Sequence, residues 1–159
     1  MTRVKKVVVA LGAALVIGGT LSAQSSPPTK PAALVDPNTA SDKQLAAVTN
    51  ITPAIAKVIV SRRPFKTVVD LDNVLKEQKL TPEQIVEVHR TLFVPLNLNS
   101  ATDEEILAIP GIGKRMLHEF KEYRPYTSME QFRREIGKYI DKDKREAELA
   151  RLERYVFIR

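Results

Sequence analysis

The chain contains no cysteine among its 159 residues. This absence excludes disulfide bridges, cysteine-thiolate metal sites and a lipid-modified cysteine. There are only two histidines, His89 and His118, and neither belongs to a metal-ligand spacing such as HExxH. We expect each of them at a helix surface or boundary. Since no nucleophile-elbow pattern is present either, the sequence predicts no enzyme, no metal site and no cofactor.

The N-terminus has the layout of a secretory signal. Three cations within residues 3–6 precede an apolar run at residues 7–17 and a stretch of small residues at 18–23. This order predicts a signal peptide over residues 1–23, cut after Ala23, and hence a periplasmic or extracellular protein. The apolar run is short against the roughly 20 residues of a spanning helix. An uncleaved N-terminal anchor stays open as the alternative, and it would be the chain's one membrane contact.

The charge balance is close to neutral once the signal is removed. The whole chain carries +6, but three of its 25 Lys and Arg residues precede Ala23, which leaves 22 against 19 acids, or +3. A small positive charge is a weak indication of a polyanionic partner. Any nucleic-acid site must therefore be argued from a local cluster of residues.

The remainder divides into a spacer and a domain. Residues 24–33 read QSSPPTKPAA, a Pro and Ser composition typical of a flexible tether. A domain is predicted over residues 34–159, and we expect it to be a monomer.

That domain repeats itself. The 28 residues from Asn38 align without a gap with those from Asn99, at an offset of 61. Later the offset becomes 64, where RTLFV at 90–94 matches RYVFI at 154–158. The pattern predicts two tandem repeats, at about 36–94 and about 97–158, with about three extra residues in the second.

Both repeats have the signals of short helices. Four pairs have capping-box spacing, namely Ser41 with Gln44, Thr81 with Gln84, Thr102 with Glu105 and Ser128 with Gln131. Apolar residues at helical intervals predict the core positions, which are Leu45, Val48, Ile55, Ile59, Ile85, Val88, Leu92, Ile106, Ile109, Met116, Phe120, Leu149, Leu152 and Val156. Pro64 and Pro125 are expected to end helices at Arg63 and Arg124, whose charges complement the helix dipole. Because period-2 alternation is scarce, the predicted fold class is all-α.

A glycine turn is the main candidate site. The segment IPGIGKR, residues 109–115, places Gly111 and Gly113 between two predicted helices. Glycine permits positive φ and lets a ligand approach the backbone, while amides at the start of the next helix suit a phosphate oxygen. Lys114 and Arg115 add positive charge. The alternative is a plain helix-to-helix turn with Ile112 in the core, and the two interpretations do not exclude each other.

The frame around this turn resembles a known family. Residues 97–132, NLNSATDEEILAIPGIGKRMLHEFKEYRPYTSMEQF, are similar to the corresponding stretch of ComEA-type exported DNA receptors and related helix-hairpin-helix proteins. The resemblance covers residues 36–158 as two degenerate copies. It implies a compact helical unit whose hairpin amides hold the DNA backbone without reading sequence. Carried over, it implies Gly111, Ile112, Gly113 and Lys114 as the DNA-backbone site, with Arg115 beside them.

The first repeat departs from the family pattern. Asn50, Thr52 and Pro53 stand where the second repeat has Gly111, Gly113 and Lys114. Proline removes an amide donor and a charge, so that hairpin is not expected to bind phosphate. The partner hairpins, at 76–84 and 138–148, lack glycine pairs as well. These departures favour either weak DNA binding or a second hypothesis, a cell-envelope interaction or scaffold module. The lumenal extrinsic subunit of photosystem II resembles this fold and docks to protein.

For the other charged and aromatic residues, the sequence favours structural roles over functional ones. Asp103, Glu104 and Glu105 suit the first turn of a helix better than catalysis. Tyr123 and Tyr126 are suited to base stacking in principle, but Phe65 at the place of Tyr126 favours packing. The mixed run at 138–154 is typical of a solvated helix face. A hydrolase or nuclease accessory role is the weakest hypothesis.

Overall fold

The computed structural model describes residues 33–159. This part is helical, as predicted, with eight α-helices, one 3₁₀ turn at Gly137–Tyr139 and two very short strands. The helices are α1 (Asp42–Ala46), α2 (Pro53–Ser61), α3 (Val68–Glu77), α4 (Pro82–His89), α5 (Asp103–Leu107), α6 (Lys114–Glu122), α7 (Met129–Ile136) and α8 (Arg145–Leu152). The predicted signal and nearly all of the predicted tether lie outside the described residues. Among residues 33–159, no helix has the length and apolar character needed to cross a membrane.

Side-chain caps start most of these helices. Ser41, Thr81 and Thr102 each form the predicted capping box, in which the hydroxyl accepts from an amide three residues on and that residue's side chain accepts in return. Ser128 caps α7 as predicted, but the side-chain oxygen of Gln131 accepts from the amide of Thr127 rather than of Ser128. The start of α3 was not predicted, because Thr67 and Asp70 form a capping box in which aspartate takes the place of the usual glutamate or glutamine.

The two predicted helix ends need correction. α2 stops at Ser61 and α6 at Glu122, so Arg63 and Arg124 lie beyond the helices. Their guanidinium groups do not serve the helix dipole. Arg63 donates to the carbonyl oxygen of Ala40, and Arg124 donates to that of Ala101 at 2.8 Å. Each arginine therefore ties the segment after α2 or α6 to the loop before α1 or α5.

Equivalent contacts in the two halves show that the repeat is structural. The side chain of Asn38 donates to the carbonyl of Phe65 at 3.0 Å and accepts from its amide at 2.7 Å. Asn99 makes the same pair of bonds to Tyr126, at 2.9 and 2.7 Å. Each asparagine side chain thus pairs with both backbone groups of one residue, as a neighbouring strand would, and this holds the segment that leads into α3 or α7.

A parallel strand contact closes each repeat. In the second, β1 (Leu96–Asn97) pairs with β2 (Val156–Phe157). In the first, Val35 forms a single parallel bridge with Leu92. Val35 and Leu96 differ by the early offset of 61, while Leu92 and Val156 differ by the later offset of 64. The predicted change of register therefore appears in the fold, with the extra residues before α8.

One hydrophobic core runs through both repeats. Every residue predicted for it is buried except Met116, which is half-buried and packs against its edge. Phe132 stands edge-to-face between Phe120 and Tyr126, with ring centroids at 5.3 and 5.8 Å. Tyr126 is 2 % exposed, which agrees with its predicted packing role. Among residues 33–159 the buried core lies between Ala40 and Val156, and a chain that begins at residue 24 retains all of it.

Candidate nucleic-acid interface

The second hairpin is the turn between α5 and α6. Pro110 is buried, Gly111 follows with φ +85°, and Gly113 is the residue before the first turn of α6. The amide of Ile112 donates to the carbonyl of Ile109 at 3.0 Å, which closes the turn. Ile112 is half-buried and packs against the core. The turn therefore joins two helices and also places its glycines at the surface, so the two interpretations of IPGIGKR are compatible.

The two glycines serve different purposes. Gly111 has a left-handed backbone that side chains rarely adopt. Gly113 is extended, with φ −110° and ψ 178°, a conformation open to any residue. A Cβ added to Gly113 would meet no heavy atom within 4 Å. Glycine at this position is therefore not required by the free fold, and it leaves space directly in front of the helix.

The start of α6 lacks a side-chain cap. Gly113 offers no side-chain acceptor to the first amides of the helix, unlike Thr52 in the first repeat. The first amides of a helix have no carbonyl partner within it, and the dipole makes that end positive. These amides lie at the end of the helix where Gly113 leaves open space. An anion that enters there meets donors that no side chain occupies.

Several of the cations near the start of α6 are engaged in other contacts. Lys114 and Arg115 are exposed at the helix start. The guanidinium carbon of Arg115 lies 6.0 Å from the ring centre of Tyr139, which directs it towards the 3₁₀ turn. Lys121 is paired with Asp103 at 2.6 Å, and Arg124 is held by the Ala101 carbonyl as described above. The positive surface is thus small and centred on the first two residues of α6.

Acidic groups border that surface. A shallow groove beside the hairpin is lined by Asp103, Lys114, Leu117, His118, Lys121 and Glu122. His118 is exposed, as predicted, and its Nε2 lies 2.9 Å from Glu122. Asp103, Glu104 and Glu105 occupy the first turn of α5, again as predicted. Extended contact with a polyanion along α6 is therefore opposed by negative charge a turn or two from the hairpin.

The first hairpin has the same backbone conformation as the second, but at its helix start one amide is capped and another is missing. Asn50 stands in the place of Gly111 with φ +67°, and the amide of Ile51 donates to Val48 at 3.0 Å as Ile112 does to Ile109. Thr52 accepts from the amide of Ile55, and Pro53 begins α2 without an amide hydrogen. The turn is thus intact as a structural element and poor as an anion site.

Arg151 contacts the second hairpin, although the sequence predicted a solvated helix face for this part of the chain. It extends from α8 and donates through Nη1 to the carbonyl of Pro110 at 2.7 Å. Its Nε and Nη2 donate to the two carboxylate oxygens of Glu148 at 2.9 and 2.6 Å. Hydrogen bonds from Arg151 hold the pKa of Glu148 below its usual value. Sequence distance hid this contact, because residues 110 and 151 meet only when the repeat folds.

His89 lies at a helix boundary, as the last residue of α4, but it is buried and not at the surface. It is 1 % exposed and stacks edge-to-face on Phe93. Its Nδ1 lies 3.1 Å from the carbonyl oxygen of Ala108, at the end of α5. Its Nε2 lies 2.8 Å from Oδ1 of Asp72, an ion-pair distance without hydrogen-bond geometry. A side chain of the first repeat thus contacts the segment that leads into the second hairpin.

Comparison with known proteins addresses the first repeat. A family model described as a helix-hairpin-helix motif matches residues 30–89. Residues 30–89 are thus similar to a helix-hairpin-helix motif. No curated protein and no solved structure matches the chain. The match identifies the motif and leaves the ComEA-type family unconfirmed.

Helix-hairpin-helix motifs commonly bind DNA without reading its sequence. The matched residues contain the hairpin of Asn50 and Thr52, whose backbone geometry the second hairpin shares. The motif match therefore lies on the first repeat, whose helix start is capped by Thr52. The second repeat has the same hairpin geometry with an uncapped helix start. Within residues 33–159 no group of three His, Asp or Glu side chains is placed to hold a metal ion.

Proposed function

We propose that this chain is an exported, non-catalytic helix-hairpin-helix protein that binds DNA without sequence specificity through the backbone of its second hairpin. The observation that carries this proposal is the uncapped start of α6, where Gly113 leaves open space before the helix amides. The motif itself supports DNA as the partner. The absence of a comparable opening at Thr52 and Pro53 limits the proposed site to the second hairpin.

The proposed contact is with phosphate. α6 has nine residues, so its first amides and its dipole act together on an anion at Gly113. The Lys114 ammonium would reach the same phosphate or its neighbour, with Arg115 beside it. Contacts of this kind fix the position of DNA and carry no base information. Duplex sequences of the same length are therefore expected to bind equally.

The affinity should be modest and sensitive to salt. The logarithm of the binding constant falls with the logarithm of salt concentration with a slope of about −0.9 for each neutralised phosphate. One phosphate neutralised by each of the two exposed cations, Lys114 and Arg115, would give a slope of about −2 for a single molecule. The acids of α5 and α6 would further reduce binding at low salt.

The biological setting we propose is DNA uptake at the cell envelope. It depends on the predicted signal over residues 1–23 and on the resemblance to exported DNA receptors. In this proposal the protein acts as a periplasmic or extracellular monomer. Contact with the membrane would arise only through residues 1–23, if they are retained.

Fluorescence anisotropy tests the proposal. The chain from residue 24 is titrated into labelled duplex and single-stranded DNA of unrelated sequences, over a series of salt concentrations. Gly113→Ala adds a methyl group to the open space without steric conflict in the free protein, so binding should fall while the fold persists. Lys114→Ala should weaken binding and reduce the salt slope by about 0.9. Lys57→Ala removes an exposed cation from α2 and serves as the control.

A different set of results would overturn the proposal. Absence of binding at low salt by the folded chain would remove DNA as the partner. Equal binding by the wild type and the Gly113→Ala variant would remove the hairpin as the site.

The second candidate function is a non-catalytic interaction or scaffold module of the envelope. Its specific support is a groove between α4 and α5 in which Val86 and Leu107 expose 44 % and 41 % of their surface. Apolar side chains exposed together are typical of protein contacts. If the folded chain ignores DNA, Val86→Ser and Leu107→Ser would be compared with the wild type for retention of envelope proteins.

A further inference from the structure

Arg151 is held at three points beside the second hairpin. Two donors grip the carboxylate of Glu148 and a third binds the Pro110 carbonyl at 2.7 Å. The guanidinium also lies over the ring of Tyr155, with 5.9 Å to the centroid. A planar fork bound in this way has little freedom left to lose. Arg151 is thus a rigid support from α8 against the hairpin.

The bond to Pro110 determines where the next amide points. A trans peptide is planar, and its carbonyl and its N–H lie on opposite sides. Because the Pro110 carbonyl is directed at Arg151, the N–H of Gly111 in the same peptide unit is directed away from α8. Gly111 is exposed. The guanidinium therefore sets the orientation of an amide in the proposed phosphate site without entering that site.

The same guanidinium lines the turn at Gly111. A Cβ built on Gly111 would come 3.6 Å from Nη2 of Arg151, an ordinary contact distance. The turn and the arginine are thus packed side by side. Since Glu148 neutralises the guanidinium, the pair adds little net charge for a phosphate to sense. The contact favours a role in geometry over a role in attraction.

The first repeat lacks this support. Glu87 occupies the position equivalent to Arg151 and pairs with Arg90 on the surface, at 2.8 Å. A carboxylate has no proton to donate to a backbone carbonyl. Within residues 33–159, the arginine support and the uncapped glycine hairpin thus occur in the same repeat, and both are replaced in the other.

We propose that Arg151 is a positioning residue of the second hairpin, which orients the Gly111 amide for phosphate by holding the Pro110 carbonyl. This inference rests on the proposed function for its binding consequence. Its structural part stands separately, as an effect on the order of the turn. Both parts can be measured on the chain from residue 24.

Amide hydrogen exchange tests the structural part without DNA. The amide of Ile112 closes the second hairpin, and that of Ile51 closes the first by an equivalent bond. In Arg151→Ala, exchange at Ile112 should accelerate about tenfold or more while Ile51 is unchanged. Arg151→Lys, which keeps one cationic donor, should give an intermediate rate. Glu87→Ala, the matched change in the first repeat, should leave both amides unaffected.

The salt series tests the binding part. The double variant Arg151→Ala and Glu148→Gln, which removes the ion pair and leaves the net charge unchanged, should lower affinity about tenfold at every salt concentration and keep the wild-type slope, whereas Lys114→Ala reduces the slope by about 0.9. A slope reduced as in Lys114→Ala would overturn the positioning role, because Arg151 would then contact phosphate itself. Unchanged exchange at Ile112 would also overturn it. If the wild type fails to bind DNA, the proposed function fails and the exchange result still decides whether Arg151 orders the turn.

Discussion

Exchanging one hairpin for the other should separate DNA binding from folding. The triple variant Gly111→Asn, Gly113→Thr and Lys114→Pro gives the second hairpin the residues of the first. The backbone already accepts them, since Asn50 has φ +67° where Gly111 has +85°, and Thr52 and Pro53 start α2 where Gly113 and Lys114 start α6. We therefore expect a folded protein with a blocked site.

The stability change should be small. An asparagine tolerates the left-handed turn better than other side chains. Threonine and glycine are similar in preference at the position before a helix, and proline suits the first helical position. Together these terms predict a free energy of unfolding within about 1 kcal/mol of the wild type. Thermal and urea unfolding followed by circular dichroism would measure it.

The binding change should be large. Threonine at 113 would accept from the amide of Met116, as Thr52 does from that of Ile55, and proline at 114 removes a second amide hydrogen. Two hydrogen bonds to a charged group are worth about 1.5 kcal/mol each or more, which predicts a loss of about 100-fold in affinity. Anisotropy at low salt would record it. A folded triple variant with wild-type affinity would refute the phosphate role of the hairpin. The reciprocal variant, Asn50→Gly, Thr52→Gly and Pro53→Lys, should gain affinity.

Three further predictions concern stability. Asn99→Ala removes two hydrogen bonds to the Tyr126 backbone and should lower the free energy of unfolding by about 2 kcal/mol in urea titrations, and an unchanged midpoint would contradict it. Phe120→Ala empties the core between α6 and α7 and should cost about 3 to 5 kcal/mol, with a loss below about 1 kcal/mol as the contrary result. The pKa of Glu148 is lowered by Arg151, so the pair stabilises the fold above the usual carboxyl value and loses that effect as pH falls through the lowered pKa. Glu148→Gln should therefore lose less stability than the wild type as the pH falls through the lowered pKa of this carboxyl group, and parallel pH profiles would contradict the contact.

The sequence was sufficient for the features that depend on local order. Capping residues lie three positions apart, apolar residues recur each turn, and the two copies align without a gap over most of each repeat. These signals predicted the helical class, and every residue that they assigned to the core is buried except Met116, which is half-buried. They also predicted the change of register, which the strand bridges of Val35 and Leu96 confirm.

The sequence was insufficient where side chains meet across long separations. Arg151 sits in a run of alternating charges, and nothing in that run indicates a bond to a carbonyl 41 positions earlier. His89 occupies a helix end, where histidine is commonly exposed, but the packing of the second repeat against α4 buries it. Arg63 and Arg124 follow helices and suggested dipole partners, yet they reach back to loops before α1 and α5. Each error concerns the direction of a long side chain, which depends on what the folded repeats place beside it.

The first hairpin is another case in which residue types alone were a poor guide to the structure. Asn50, Thr52 and Pro53 suggest a degenerate loop when compared with Gly111, Gly113 and Lys114. The backbone is nonetheless the same, because asparagine adopts positive φ and threonine caps α2 with its own hydroxyl. Loss of the glycines therefore changed the chemistry of the turn and preserved its shape.

The most direct test of the second hairpin as a phosphate site is an amide-resolved NMR titration of the ¹⁵N-labelled chain from residue 24 with a short DNA duplex at low salt. We predict that the amides of Gly111, Ile112, Gly113, Lys114 and Arg115 shift most, while the amides of the first hairpin from Asn50 to Ile55 remain in place. A second duplex of unrelated sequence should give the same pattern. Shifts concentrated around Val86 and Leu107, or no shifts at all, would contradict the site.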